Sequence, residues 1–228
     1  MSHPALPTAR NARTRHRALG YLTLAALLLP TTAACTSGDT DTPPKPATAA
    51  GSAATPHVTG PLCAALPTGT DPGNPAFLAG QPVDAALQWI PTLTTFEAAL
   101  RTTGLLTELD TTDGITLLAP SDDAFAAKFS DDNWDELMAR HHDDLRALLK
   151  AHLITGTHPL DELTDAGTTT TADGTTITVT RTPDTARFAD RAEAVCGDYQ
   201  ATNARIHIVN AVLGTLPTTA DGNGHRAH

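Results

Sequence analysis

Ile115-Thr116-Leu117-Leu118-Ala119-Pro120-Ser121-Asp122-Asp123-Ala124-Phe125 is the stretch on which the architecture turns. Its apolar half is a short run that stops at Pro120, the pattern of a strand. Ser121 then offers a hydroxyl to cap a helical turn over Asp122 to Lys128. The reading is strand, break, helix.

Towards the amino terminus, Val83 to Ile90 follows a proline and places apolar groups at helical spacing. Thr94-Thr95-Phe96-Glu97 has the form of a capping box with Thr94 as N-cap, and Gly104 supplies a stop after Leu100. Two short helices are expected there. Towards the carboxyl terminus, Asn133-Trp134-Asp135-Glu136 predicts a second capping box, and Leu145, Leu148 and Leu149 continue helical spacing until Gly156. From Thr168 the period changes. Asp173-Gly174 separates two Thr-rich stretches, and Thr176 to Thr180 alternates as a half-buried hairpin strand should. Val195-Cys196 adds a strand. Ile206 to Leu213 is apolar on both faces and predicts a central strand. The fold class is α+β, in one domain over residues 61–217, followed by a polar tail over 218–228.

Residues 1 to 17 carry Arg10, Arg13, Arg15 and Arg17 and no acid, and Tyr21 to Leu29 is an apolar run ended by Pro30. That run is far below the roughly 20 residues a permanent span requires, so it reads as an export signal over 1–34. Thr31-Thr32-Ala33-Ala34-Cys35 resembles a bacterial lipobox, with Thr32 where Leu is usual. The resemblance implies diacylglycerol on the sulfur of Cys35 and cleavage just before it; the other reading is ordinary secretion after Ala34. Residues 35–60, rich in Pro, Thr, Ala, Ser and Gly, cannot bury enough apolar surface to offset ordering and are expected to form a disordered tether.

The chain has 15 basic and 25 acidic side chains; without the four leader arginines 11 basic face 25 acidic, a net charge of −14. Nucleic acid and anionic membrane surfaces are poor partners for such a surface.

Three segments together resemble fasciclin-like domains. The Ile115 to Phe125 stretch resembles their first signature block, with Ala119, Pro120, Ser121, Ala124 and Phe125. Leu148 to Gly156, around His152, resembles the central block, and Asn203 to Leu213, with Asn203, Ile206 and Ile208, the closing one. Their order and spacing match. The resemblance implies a single fasciclin-like domain of helices and a mixed sheet, acting in adhesion or interaction, without catalysis and without a cofactor. Gly60-Pro61-Leu62-Cys63 and Ala194-Val195-Cys196-Gly197 resemble the paired cysteines of secreted and lipid-anchored mycobacterial fasciclin antigens, which implies a Cys63–Cys196 disulfide. Where many fasciclin domains carry Tyr before the central His, this chain has Ala151-His152, so integrin-type adhesion is not carried over.

Other chemistry is weaker. His141-His142-Asp143-Asp144 is rich in ligand atoms, but helical neighbours point about 100° apart, so a solvated helix end is expected rather than a metal site. Ser121 and His152 could be drawn into a triad, yet no Gly-x-Ser-x-Gly elbow is present. His207 should face away from Ile206 and Ile208.

These readings define a monomeric lipoprotein on the extracytoplasmic face of a cell membrane, displaying an interaction module that binds an envelope or extracellular protein, a glycan or a small apolar ligand through a groove or loop surface. The alternatives are a ligand-binding or redox reporter acting through its disulfide, and an exported hydrolase using His152 and Ser121.

Overall fold

The computed structural model describes residues 56–216; the leader, Cys35, most of the tether and the tail lie outside them. Seven strands, β1 (Ile115–Pro120), β2 (Leu153–Thr155), β3 (Thr168–Thr170), β4 (Thr176–Arg181), β5 (Ala186–Phe188), β6 (Ala192–Gln200) and β7 (Ala204–Val209), form one sheet in the order β2-β1-β7-β6-β5-β4-β3. β1 and β7 run parallel, and every other pair is antiparallel. The last strand is therefore an inner one, as its two-sided apolar pattern predicts.

Alternation along β1 and β7 divides the core. Leu117, Ala119, Ile206 and Ile208 face one side, where they meet helices α1 (Pro75–Leu78), α2 (Val83–Leu87), α3 (Thr94–Thr102), α4 (Leu105–Asp110), α5 (Asp122–Lys128), α6 (Asp131–Arg140) and α7 (His142–Lys150). Phe96, Leu100, Leu145 and Leu149 are fully buried there, each contributing about 1.5–3 kcal/mol of apolar burial. Leu118 and Val209 face the other side, with Leu160 and Leu163 of α8 (Leu160–Ala166), Val179 and Phe188. His207 shares that second face, opposite Ile206 and Ile208 as expected.

β6 serves both sides. Ala194 belongs to the second cluster and Cys196 to the first, although strict alternation would put them on the same face. A register shift between Ala194 and Cys196 reverses the strand, and a second follows before Tyr199, where Asp198 takes a left-handed φ of 67°.

Strand, break and helix stand as read over 115–128, with the Ser121 hydroxyl accepting from the Ala124 N–H at 3.2 Å. The Asp173-Gly174 hairpin joins β3 to β4. Both predicted capping boxes differ. A 3-10 turn over Pro91–Leu93 runs directly into α3, so Thr94 has helical dihedrals and cannot act as N-cap. The carboxylate of Asp122 takes over, accepting from the Thr95 N–H at 2.7 Å and the Thr94 hydroxyl at 2.8 Å. At α6 the cap lies three residues earlier than Asn133, at Ser130, which has the extended backbone an N-cap requires and accepts from the Asn133 N–H at 3.4 Å.

Candidate functional site

The three signature blocks lie side by side at one end of the sheet, on β2, β1 and β7, and the polar side chains of Ser121, His152 and Asn203 are spent on backbone. Asn203 precedes β7; its Oδ1 accepts from the Val83 N–H and its Nδ2 donates to the Leu109 carbonyl, both at 3.0 Å. One amide thus joins the start of α2 to the end of α4.

His152 leaves α7 and is completely buried, 6.3 Å from the Phe96 ring between centroids. Its Nε2 accepts from the Leu213 N–H at 2.8 Å, so the proton resides on Nδ1, which donates to the Leu148 carbonyl at 3.0 Å. Burial pulls its pKa down to about 4, only partly offset by the Leu148 bond. The imidazole is neutral at pH 7 and neither nitrogen is free to take a proton from a substrate.

His207 has the opposite tautomer. Its Nδ1 accepts from the Asp198 N–H at 3.0 Å and its Nε2 donates to the His158 carbonyl at 2.9 Å. Burial again brings the pKa down to about 4.

Above His152 lies a cleft of about 410 Å³ whose floor includes Ala151 and Leu213. The histidine therefore fixes this floor by holding the Leu213 backbone. Ile177 and Ala189 extend the apolar lining, while Thr171, Asp173, Thr175 and Arg191 supply polar groups. Asp173 is already engaged: it accepts from the Thr171 hydroxyl at 2.5 Å and from the Thr175 N–H and hydroxyl at 3.0 Å. Burial works against its charged form, but these bonds prevail and hold its carboxyl below the usual range. The cleft was missed in the sequence because its walls come from four separated segments.

Cys63 and Cys196 form a disulfide with a Cα–Cα distance of 5.0 Å across a sequence separation of 133. In the loop-entropy account such a closure contributes about 5 kcal/mol. The preceding residues are fitted to the same strand. Thr59 pairs with Gly197, and a Cβ on Gly60 would stand 2.4 Å from the Val195 carbonyl oxygen at a φ of 137°. Only glycine permits that approach.

Ser121 is buried in its capping role, and both nitrogens of His152 are committed elsewhere. His141 sits at the break between α6 and α7, near Glu136 at 3.8 Å and Asp144 at 3.6 Å, while the ring of His142 reaches back to the Met138 carbonyl at 2.7 Å. Among the described residues no group of three His, Cys, Asp or Glu could hold a metal ion. No helix among them is long and apolar enough to cross a membrane.

The fasciclin domain model matches residues 91–216, more than half of the chain, and the chain belongs to the fasciclin family. Among solved structures it is similar to a FAS1 domain pair from the insect cell adhesion molecule fasciclin I, at 21% identity and a TM-score of 0.43, over 53% of this chain and 44% of that one. The chain thus spans less than half the length of that structure. No curated protein matches it significantly.

Proposed function

We propose that the chain is a cell-surface lipoprotein, anchored through Cys35, that displays its fasciclin domain as a non-catalytic adhesion or interaction module. The observation carrying this reading is that Ser121, His152 and Asn203 are each consumed by backbone hydrogen bonds. The residues that mark the family are struts, and no nucleophile and base are left facing each other there. The lipobox-like sequence before Cys35 supports the anchor, and the acidic surface supports a protein or glycan partner over nucleic acid. The module acts as a monomer.

Intact mass of the membrane-extracted chain tests the anchor. The expected species begins at Cys35 and carries a diacylglycerol; an unmodified chain recovered only from the medium refutes it. Capture of envelope components on the immobilised full chain tests the module, and retention of a defined protein or glycan is expected. Hydrolysis of ester or peptide substrates that survives purification and disappears in a folded Ser121→Ala variant would overturn the non-catalytic assignment.

A further inference from the structure

We infer that the cleft above His152 binds a small amphipathic monoanion, with a carboxylate head between Lys128 and Arg191 and a short apolar tail against Leu213 and Ile177. This goes beyond display and holds whether or not Cys35 carries lipid.

The charge arrangement is the first ground. Arg101, Arg146, Arg181 and Arg187 each face a carboxylate. Among the described residues Lys128 and Arg191 have no such partner, in a chain where 25 acidic side chains outnumber 15 basic ones. The Lys128 ammonium donates instead to the carbonyl of Gly214, on the cleft wall, at 3.4 Å. Burial, and then repulsion by Arg191, hold its pKa below the ordinary lysine value. Two cations that repel each other beside an apolar surface are relieved by an anion placed between them.

The second ground is composition and size. About 410 Å³ falls in the range of roughly 300–1,000 Å³ typical of small-molecule sites. The lining pairs an apolar floor with a few polar groups, as such sites do. Asp173 keeps its negative charge within its threonine cage, so two cations stand against one carboxylate. A single positive surplus suits a monoanion better than a phosphate dianion.

The third is the turn that carries one wall. Ala189 and Asp190 both adopt left-handed φ values, 51° and 54°, between Phe188 and Arg191. Two consecutive left-handed residues in a hairpin turn ordinarily call for Asn-Gly. Here Ala189, with its methyl group, and Arg191, two residues on, both line the cleft, and strained backbone of this sort clusters at ligand sites.

Calorimetric titration of the full chain carrying Cys35→Ser, so that no lipid of its own competes, tests the assignment with octanoate as probe. Octanoate is expected to bind saturably with one site, and octanol and inorganic phosphate at least about tenfold more weakly. Lys128→Gln and Arg191→Gln should each weaken octanoate about tenfold in variants whose thermal melts show that they are folded. Equal affinity for octanoate and octanol, phosphate binding as tight as octanoate, unchanged affinity in both variants, or no saturable octanoate binding would overturn the proposal.

Discussion

The two faces of the sheet are stabilised by different means. On the first, α2 to α7 lay leucines and Phe96 against β1 and β7, and most of the buried apolar side chains are there. The second has a smaller apolar cluster, covered by α8 and the hairpins of β3 to β6. Threonine hydroxyls supply part of what apolar area does not: Thr116 donates to the Gly156 carbonyl at 2.7 Å, and Thr185 donates to the Ala194 carbonyl at 2.7 Å. Yet each face has one fully buried neutral histidine joining two backbone segments, His152 on the helical side and His207 on the other. The tautomers are opposite because the N–H each must accept comes to a different ring nitrogen. A buried imidazole can thus replace a stretch of secondary structure wherever one carbonyl and one N–H would otherwise be left unpaired.

Acid gives the largest effect separating or uniting the two faces. Each histidine has a folded pKa of about 4, below the ordinary histidine value of 6.5. Between those values the unfolded chain binds more protons, so stability is complete above about pH 6.5 and falls as pH drops towards 4, by about 3 kcal/mol for each histidine. His158 returns part of this: burial opposes its charge, but bonds to Glu162 and Thr155 raise its pKa overall. Denaturant titrations from pH 7 to 4 should show the decline, and amide exchange at Leu213 and Asp198 should show whether the two faces open together. A flat profile would mean that neither imidazole is held neutral.

Asn203→Ala comes next. It leaves the Val83 N–H and the Leu109 carbonyl without their side-chain partner, at a cost of about 2 kcal/mol. Faster exchange is expected at Val83 on the helical side, with β4 and β5 unaffected; equal loosening of both faces would show that they are not separable.

The smallest effect belongs to the second face. Ala189→Gly relieves a left-handed alanine and should raise unfolding stability by about 1 kcal/mol. Thermal melts that fail to rise would show that the turn carries no such strain.

Local chemistry made much of the fold readable. Ser121 caps the helix that follows it, Gly104 takes the left-handed conformation after α3, and Asp173-Gly174 turns a hairpin, each within a few residues of its partner. The misreadings occurred where the cap comes from far along the chain. Asp122 caps α3 from 27 residues away, and Asp198, on the bulge of β6, accepts from the Leu160 N–H at 3.0 Å to start α8. No local pattern encodes such a cap, and α1, α4, α8 and β5 are not legible in the sequence; the helical region that runs to Gly156 by sequence ends instead at Lys150, and Leu153–Thr155 is strand β2 against β1. Family resemblance, not periodicity, paired Cys63 with Cys196. Strict alternation would even have argued against it, since only the bulge turns Cys196 towards Cys63. The cleft stayed hidden for the related reason that Lys128, Asp173, Arg191 and Leu213 meet only in the folded chain.

The place of β7 also sets the order of events in folding. It pairs Ile115 with Ala204 through Pro120 with Val209, so the first strand of the sheet waits for the last. A chain released from its amino terminus, by a ribosome or an export channel, presents every helix before it presents the segment that joins β1 to β6. Until residues 204–209 emerge both strands have open edges, and the long-range closure belongs to the slower class of topologies. The domain is therefore built to remain unfinished until residues 204–209 are free and to fold as a unit at the end.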